Sequence, residues 1–154
     1  MSQQYKIYDA FTGISTLEKS VLTKFICQHS EDCEQDSIAE ALDYAVKNKP
    51  SFGGFVYTLW TSEQLTAAVV VNKTGMSGFK PSFLIVFAVL DTQRWPKDAH
   101  LLKDLLQQVV DYANGEIALQ LRPNNPTFSL FKQIGFEEHY VELRHSSPGN
   151  AASA

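Results

Sequence analysis

Hydrophobic positions along this chain recur at two different periods, and the changes between those periods predict its elements. Tyr5 to Phe11 alternates, with Tyr5 and Ile7 set against Lys6 and Tyr8, and reads as a strand that Thr12-Gly13 breaks. Ser15 and Glu18 form a capping-box pair ahead of a helix. In it Leu17, Val21 and Phe25 share one side, with Leu22 and Ile26 beside them. That helix fades near His29, and the polar, acidic stretch from Ser30 to Asp36 reads as a loop. Ser37 and Glu40 make a second capping-box pair. Ile38, Ala41, Leu42 and Ala45 follow at helical spacing up to the stop at Asn48-Lys49-Pro50.

Strand patterns come next. Phe52 to Thr61 is rich in aromatic and β-branched residues, with Gly53-Gly54 marking a bulge or twist near its start. Ser62-Glu63-Gln64 turns the chain into Leu65 to Asn72, which predicts a hairpin. Lys73 to Lys80 is a glycine-containing loop. Beyond it, Pro81 to Leu90 holds the most continuously apolar run, Phe83 through Leu90, as expected of a central strand buried on both faces. Asp91 to Asp98 leads to a helix over Ala99 to Asn114 with Leu102, Leu105, Val109 and Tyr112 as its inner stripe, Asp98 as cap and Gly115 as stop. Glu116 to Leu121 alternates as another strand. Asn125 as N-cap and Pro126 at the first helical position open a short helix, with Leu130, Phe131 and Ile134 on one face. Gly135 ends it in the left-handed conformation, and Phe136 to Arg144 reads as a returning strand with His139, Val141 and Leu143 facing inward. A single domain therefore spans residues 1–144, and the small, polar residues 145–154 predict a disordered tail.

Composition narrows the class. At 154 residues the chain suits one domain with a proper core, and 44% hydrophobic with 19% charged residues is ordinary for a soluble globule. A net charge of −4 offers no electrostatic footing for nucleic acid. No apolar run approaches the roughly 20 residues that span a bilayer, and the N-terminus lacks the basic and apolar regions of a secretory signal. Cys27 and Cys33 have only His29 nearby, so they read as reduced thiols, with a disulfide or a metal pair as the less favoured alternatives. These features together predict a cytoplasmic protein with no membrane segment and no metal.

The stretch from Arg122 to Arg144, RPNNPTFSLFKQIGFEEHYVELR, resembles the C-terminal segment of GNAT-superfamily acyltransferases. In that family the short last helix carries an Asn, a small residue, a Leu-Tyr pair and a terminal Gly-Phe. Here Asn124, Thr127, Leu130, Phe131, Gly135 and Phe136 take those positions, and Phe131 departs from the usual tyrosine. The element order, β-α-α-β-β-β-α-β-α-β, is also the family's, so the resemblance covers nearly the whole chain up to Arg144. It implies an α+β fold, a central mixed and mostly antiparallel sheet flanked by four helices. It further implies an N-acyltransferase that moves an acetyl group from acetyl-CoA to an amine of a small molecule or protein, and a homodimer as is frequent in the family.

The resemblance also implies where the cofactor would lie. The family's central strand splays from its neighbour, and backbone at its end, here at Val89, pairs with the pantetheine arm. Asn124 and Phe131 of the last-helix motif would flank that arm. The following loop wraps the pyrophosphate through the pattern Gln or Arg, two variable residues, Gly, one variable residue, then Gly or Ala. This chain offers Gln93, Arg94, Trp95, Pro96, Lys97, Asp98 and Ala99. One register sets Pro96 and Asp98 at the small positions; the next matches Arg94 and Ala99 but sets Lys97 at the first glycine. Neither restores a glycine. Pro96 removes an N–H donor and Asp98 brings a carboxylate, while Arg94 and Lys97 can compensate through charge-assisted contacts. The plainer reading is a structural turn with a proline and an aspartate cap.

Acyl transfer to an amine needs a proton acceptor and often a donor for the leaving thiolate. Phe131 has no hydroxyl, and Phe83 to Leu90 contains no ionisable group. Asp91 is the nearest carboxylate, although it reads better as a strand-end turn residue. Tyr57 and Trp60 read better as sheet packing, and His100 as surface. Glu31, Asp32, Glu34 and Asp36 would attract a cationic amine or simply form a solvated loop. No catalytic residue emerges. The rival is therefore a GNAT-fold protein that has lost catalysis and serves as a binding or interaction module, with weak or no acyl-CoA binding.

Overall fold

Every residue from Leu65 to Val71 is buried, and the sheet is built around that stretch. A computed structural model of the chain describes residues 2–30, 33–47, 53–76, 81–95, 99–114 and 116–146. Its elements run in the order β1 (Gln3–Tyr8), α1 (Thr16–His29), α2 (Gln35–Ala45), β2 (Gly54–Thr61), β3 (Gln64–Lys73) and β4 (Phe83–Leu90). Then come α3 (Ala99–Ala113), β5 (Ile117–Leu119) and α4 (Phe128–Gln133). The strands form one sheet in the order β1-β2-β3-β4-β5, antiparallel throughout except for the parallel β4–β5 pair. This is the α+β arrangement with four helices that the sequence predicts.

Successive side chains of a strand point to opposite faces, so the valine-rich β3 feeds two cores. Ala67, Val69 and Val71 pack with Leu105, Leu106 and Val109 of α3 and with Leu130 and Phe131 of α4. Ala68 and Val70 pack with Leu22 and Ile26 of α1 and with Ile38 and Leu42 of α2. β3 is thus the most completely buried strand, ahead of the Phe83–Leu90 run, which reaches both cores through Ile85 and Leu90 on one face and Val89 on the other. In β4 only Ile85, Val89 and Leu90 are fully buried, because one flank of that strand borders a cleft.

Two bulges shape the sheet. Leu59 faces Ala67 while Trp60 faces Leu65, so Thr66 is an extra residue on β3. Val70 faces Phe87 while Val71 faces Ile85, so Val86 is an extra residue on β4. The β2–β3 turn is a two-residue loop, Ser62-Glu63, with both residues at positive φ (51° and 67°).

Several details differ from the pattern. The capping box at Ser15 and Glu18 forms, but Leu17 and Val21 stay exposed; α1 buries Leu22, Phe25 and Ile26, the i, i+3, i+4 set over the sheet. The second helix starts earlier than Ser37, with Glu34 at its N-cap. The Ser37 hydroxyl donates to the Glu34 carboxylate at 3.2 Å instead of capping. Tyr112 is 45% exposed, although its ring packs on Phe55 and Tyr57. The returning strand over Phe136–Arg144 is not formed. Residues 136–146 carry no ladder, Val141 and Leu143 are 87% and 90% exposed, and His139 faces solvent. Alternation supplied a strand-like face but no neighbour to pair with. Cys27 and Cys33 are joined as a disulfide with Cα atoms 4.6 Å apart, not left as thiols, because the end of α1 and the start of α2 lie side by side. The expected stops at Asn48-Lys49-Pro50 and Gly115 lie outside the described residues, as does the tail beyond Ser146. Among the described residues no helix is long and apolar enough to cross a membrane.

Candidate functional site

The bulge at Val86 coincides with the point where β5 leaves its neighbour. Phe83, Leu84 and Ile85 pair with Ile117, Ala118 and Leu119, and no ladder links the two strands beyond. The bent β4 therefore presents an open backbone edge from Val86 to Leu90, and unpaired peptide groups are strong hydrogen-bonding sites. A cleft of about 560 Å³ opens at that edge, within the usual range for small-molecule sites. Leu119 and Leu121 face β4 across it; Leu102 of α3 and Leu130 and Phe131 of α4 close one side. His29 and Ser30, at the C-terminal end of α1, close the other.

Local sequence fixes the α4 wall. The Asn125 side-chain oxygen accepts from the Thr127 backbone N–H at 2.9 Å and from its hydroxyl at 2.6 Å, an Asx turn ahead of the helix. Thr127 rather than Asn125 is the N-cap, and Pro126 stands before the helix rather than at its first position, because that side chain closes the turn. At the far end the Gly135 N–H donates to the Lys132 carbonyl and the Phe136 N–H to the Phe131 carbonyl, with Gly135 at φ 103°. These are the two bonds of a Schellman motif, and its hydrophobic contact is the edge-on pair Phe131–Phe136, with ring centroids 5.4 Å apart. Phe131 is thereby locked in the cleft wall, 3% exposed.

The turn after β4 is equally specific. The Asp91 N–H donates to the Thr66 carbonyl that the β3 bulge turns outward. One Asp91 carboxylate oxygen accepts from the backbone N–H groups of Gln93 and Arg94, both at 3.1 Å. Arg94 reaches back across β3. Its guanidinium donates to the Gln64 side-chain oxygen and, at 3.2 Å, to the Thr66 hydroxyl, and its Nε lies 3.6 Å from Asp91. Trp95 lines the cleft, and its buried indole N–H has no hydrogen-bond partner among the described residues.

Of the residues singled out for the cofactor, Val89 and Phe131 line this cleft together. Asn124 is exposed and does not; its neighbour Asn125 does. Gln93 is exposed, and Arg94 is spent on β3 rather than left as a free cation. Ala99 is the first residue of α3, while Pro96, Lys97 and Asp98 lie outside the described residues, as do Glu31 and Asp32 of the acidic loop. Tyr57 and Trp60 do not line the cleft. The Tyr57 hydroxyl donates to Gln108 at 2.7 Å, and the Trp60 indole to Thr58 at 2.8 Å. His100 is a surface residue paired with Asp104. The sequence marks His29 as a fading helix end and as the one histidine near Cys27 and Cys33. Among the described residues it is the one titratable side chain in the cleft wall, and nothing local to it in the sequence says so.

An extended, amide-bearing arm fits this arrangement. The open edge of β4 supplies peptide donors and acceptors, and the orphaned Trp95 N–H is a further donor beside it.

No protein-family model matches the sequence, and no curated protein matches it. Solved structures do match. An aminoglycoside N-acetyltransferase, AAC(6')-Iy, in complex with CoA aligns over 96% of this chain and 97% of its own, with 11% identity and a TM-score of 0.65. The ribosomal-protein-S18-alanine N-acetyltransferase from Escherichia coli aligns over 89% and 80%, with 12% identity and a TM-score of 0.63. A predicted acetyltransferase with acetyl-CoA from Clostridium acetobutylicum aligns over 93% and 96%, with 12% identity and a TM-score of 0.58. At such identities the likeness is one of fold, and the fold of this chain is that of the GNAT acetyltransferases.

Proposed function

We propose that this protein is an N-acyltransferase that takes an acetyl group from acetyl-CoA and transfers it to an amine of a small molecule or protein. The observation that carries the reading is the open β4 edge facing a cleft that also holds an unpartnered indole N–H. The pantetheine arm lies along that edge near Val89 and against Phe131, with Asn125 rather than Asn124 at its side. The loop 93–99 is assigned to the pyrophosphate from its place between β4 and α3 and from its sequence. Arg94 does not serve there, since it braces the turn. The amine attacks in the cleft, where holding both reactants in contact supplies much of the rate. A cytoplasmic setting belongs to the same reading, with the Cys27–Cys33 pair as an exception to the rule that such thiols stay reduced.

Calorimetric titration with acetyl-CoA and, separately, with CoA tests the donor. Micromolar binding is expected, and Trp95→Phe, which keeps the ring but removes the N–H, weakens it several-fold, on the order of 1 kcal/mol. Absence of binding at millimolar ligand overturns the reading and leaves the interaction module.

A further inference from the structure

We propose that His29 is the proton acceptor and donor of this cleft, with Asp91 as its positioning residue; the proposal rests on the acyl-transfer reading above. The fold brings the two together from far apart in the chain. α1 ends where β4 ends, so His29, one residue before the helix C-cap, meets the carboxylate that follows Leu90. The His29 Nε2 lies 3.9 Å from an Asp91 oxygen, at ion-pair distance, and the two side chains are only 5% and 14% exposed.

One ring contact holds the imidazole, and two bonds fix the helix end that carries it. The Phe25 ring packs on it with centroids 4.6 Å apart. The Ser30 hydroxyl donates to the Ile26 carbonyl and tightens the helix end beneath it. The Cys27–Cys33 disulfide ties the last turn of α1 to the residue just ahead of the α2 N-cap. Asp91 is held in turn by the N–H groups of Gln93 and Arg94 and by the Arg94 Nε. Asp91 and, behind it, Arg94 are the charged groups within ion-pair reach among the described residues; the Phe25 ring and the cleft residues Ser30, Thr92 and Trp95 are uncharged. A buried histidine that, among the described residues, faces a fixed carboxylate has little structural use for a place in an apolar cleft. It has an evident use in moving a proton, since no other titratable group lines that wall among the described residues.

The step balances with this one residue. The amine nitrogen attacks the thioester carbonyl, forming the C–N bond, and His29 takes the proton that the nitrogen must lose. The carboxylate faces the positive charge so acquired. The C–S bond breaks, and His29 returns the proton to the departing thiolate, giving the amide and free CoA thiol. One imidazole thus performs both tasks that Phe131, lacking a hydroxyl, cannot share.

The test is single-turnover acyl transfer from acetyl-CoA to an amine of low basicity, uncharged across the pH range, in wild type and His29→Gln. The expected result is a loss of about 100-fold or more, the scale of general acid–base catalysis, with acetyl-CoA affinity within threefold of wild type. The ascending limb of the wild-type pH–rate profile should also vanish. A rate within threefold of wild type, or a retained limb, removes His29 from the chemistry and leaves acyl transfer standing. A wild type that neither binds acetyl-CoA nor acylates any amine overturns both readings. Should His29→Gln fail to fold, Asp91→Asn decides, because its side-chain oxygen still accepts from Gln93 and Arg94. The single-turnover rate then falls by roughly tenfold or more at unchanged acetyl-CoA affinity; a rate within threefold of wild type overturns the pairing.

Discussion

Gly54 and the pair Ser62-Glu63 show how single residues set the frame. Gly54 stands at φ 130°, and a Cβ there would drive into the Val71 backbone carbonyl across the β2–β3 ladder. Gly54→Ala should therefore cost several kcal/mol, on the order of severe core overpacking or more, read as a fall in the urea midpoint. Ser62 and Glu63 carry the opposite lesson. Both occupy the left-handed region without being glycine or asparagine, at roughly 1 kcal/mol each. Ser62→Asn with Glu63→Gly should raise stability by roughly 0.5–1 kcal/mol at unchanged denaturant slope. At the start of α1, the backbone N–H of Ser15 chiefly, and its hydroxyl next, hold the Glu18 carboxyl below the ordinary glutamate range. A depressed folded value means that the stabilisation is present above the unfolded pKa and lost as pH falls through the folded one. Ser15→Ala should cost about 1 kcal/mol at neutral pH, and the difference from wild type should narrow in acid.

At the scale of elements, the C-terminal end and buried face of α4 were legible, carried by Leu130, Phe131 and Gly135, and such an end is local chemistry. Its start falls at Thr127 rather than at Asn125. The stretch after the helix was not legible. Phe136 to Arg144 alternates as a strand should, yet it has no ladder, because alternation specifies a face and never a partner. Val141→Ser with Leu143→Ser should change stability by less than about 0.5 kcal/mol per site in thermal melts, as for other exposed positions. The α1–α2 connection was misread for a related reason. Pairing of Cys27 with Cys33 depends on how two helix ends meet, which the spacing of two cysteines leaves open. A disulfide closing so short a loop contributes about 2 kcal/mol in the chain-entropy account. Reduction should accordingly lower the melting temperature by roughly 4–8 °C for a domain of this size.

In the whole molecule, the cleft arises from a mismatch between strands that continue and strands that stop. β4 runs on to Leu90 while β5 ends at Leu119, and the bulge at Val86 bends β4 where they part. The long apolar run of β4 was read as doubly buried because its composition is that of such a strand. Its C-terminal half is instead the wall of a site, and apolar side chains serve there as well as in a core. By itself the sequence determined the four helices, the five strands of the sheet and their order, the capping box of α1, the glycine end of α4 and the absence of a tyrosine at Phe131. All of these follow from periodicity and from contacts within a few residues. Only the tertiary structure decided that β3 is the most completely buried strand, that Arg94 turns back to Gln64 and Thr66, and that His29 meets Asp91 at the cleft. Those facts join residues 28 to 62 positions apart, and no local pattern encodes which distant ends will meet.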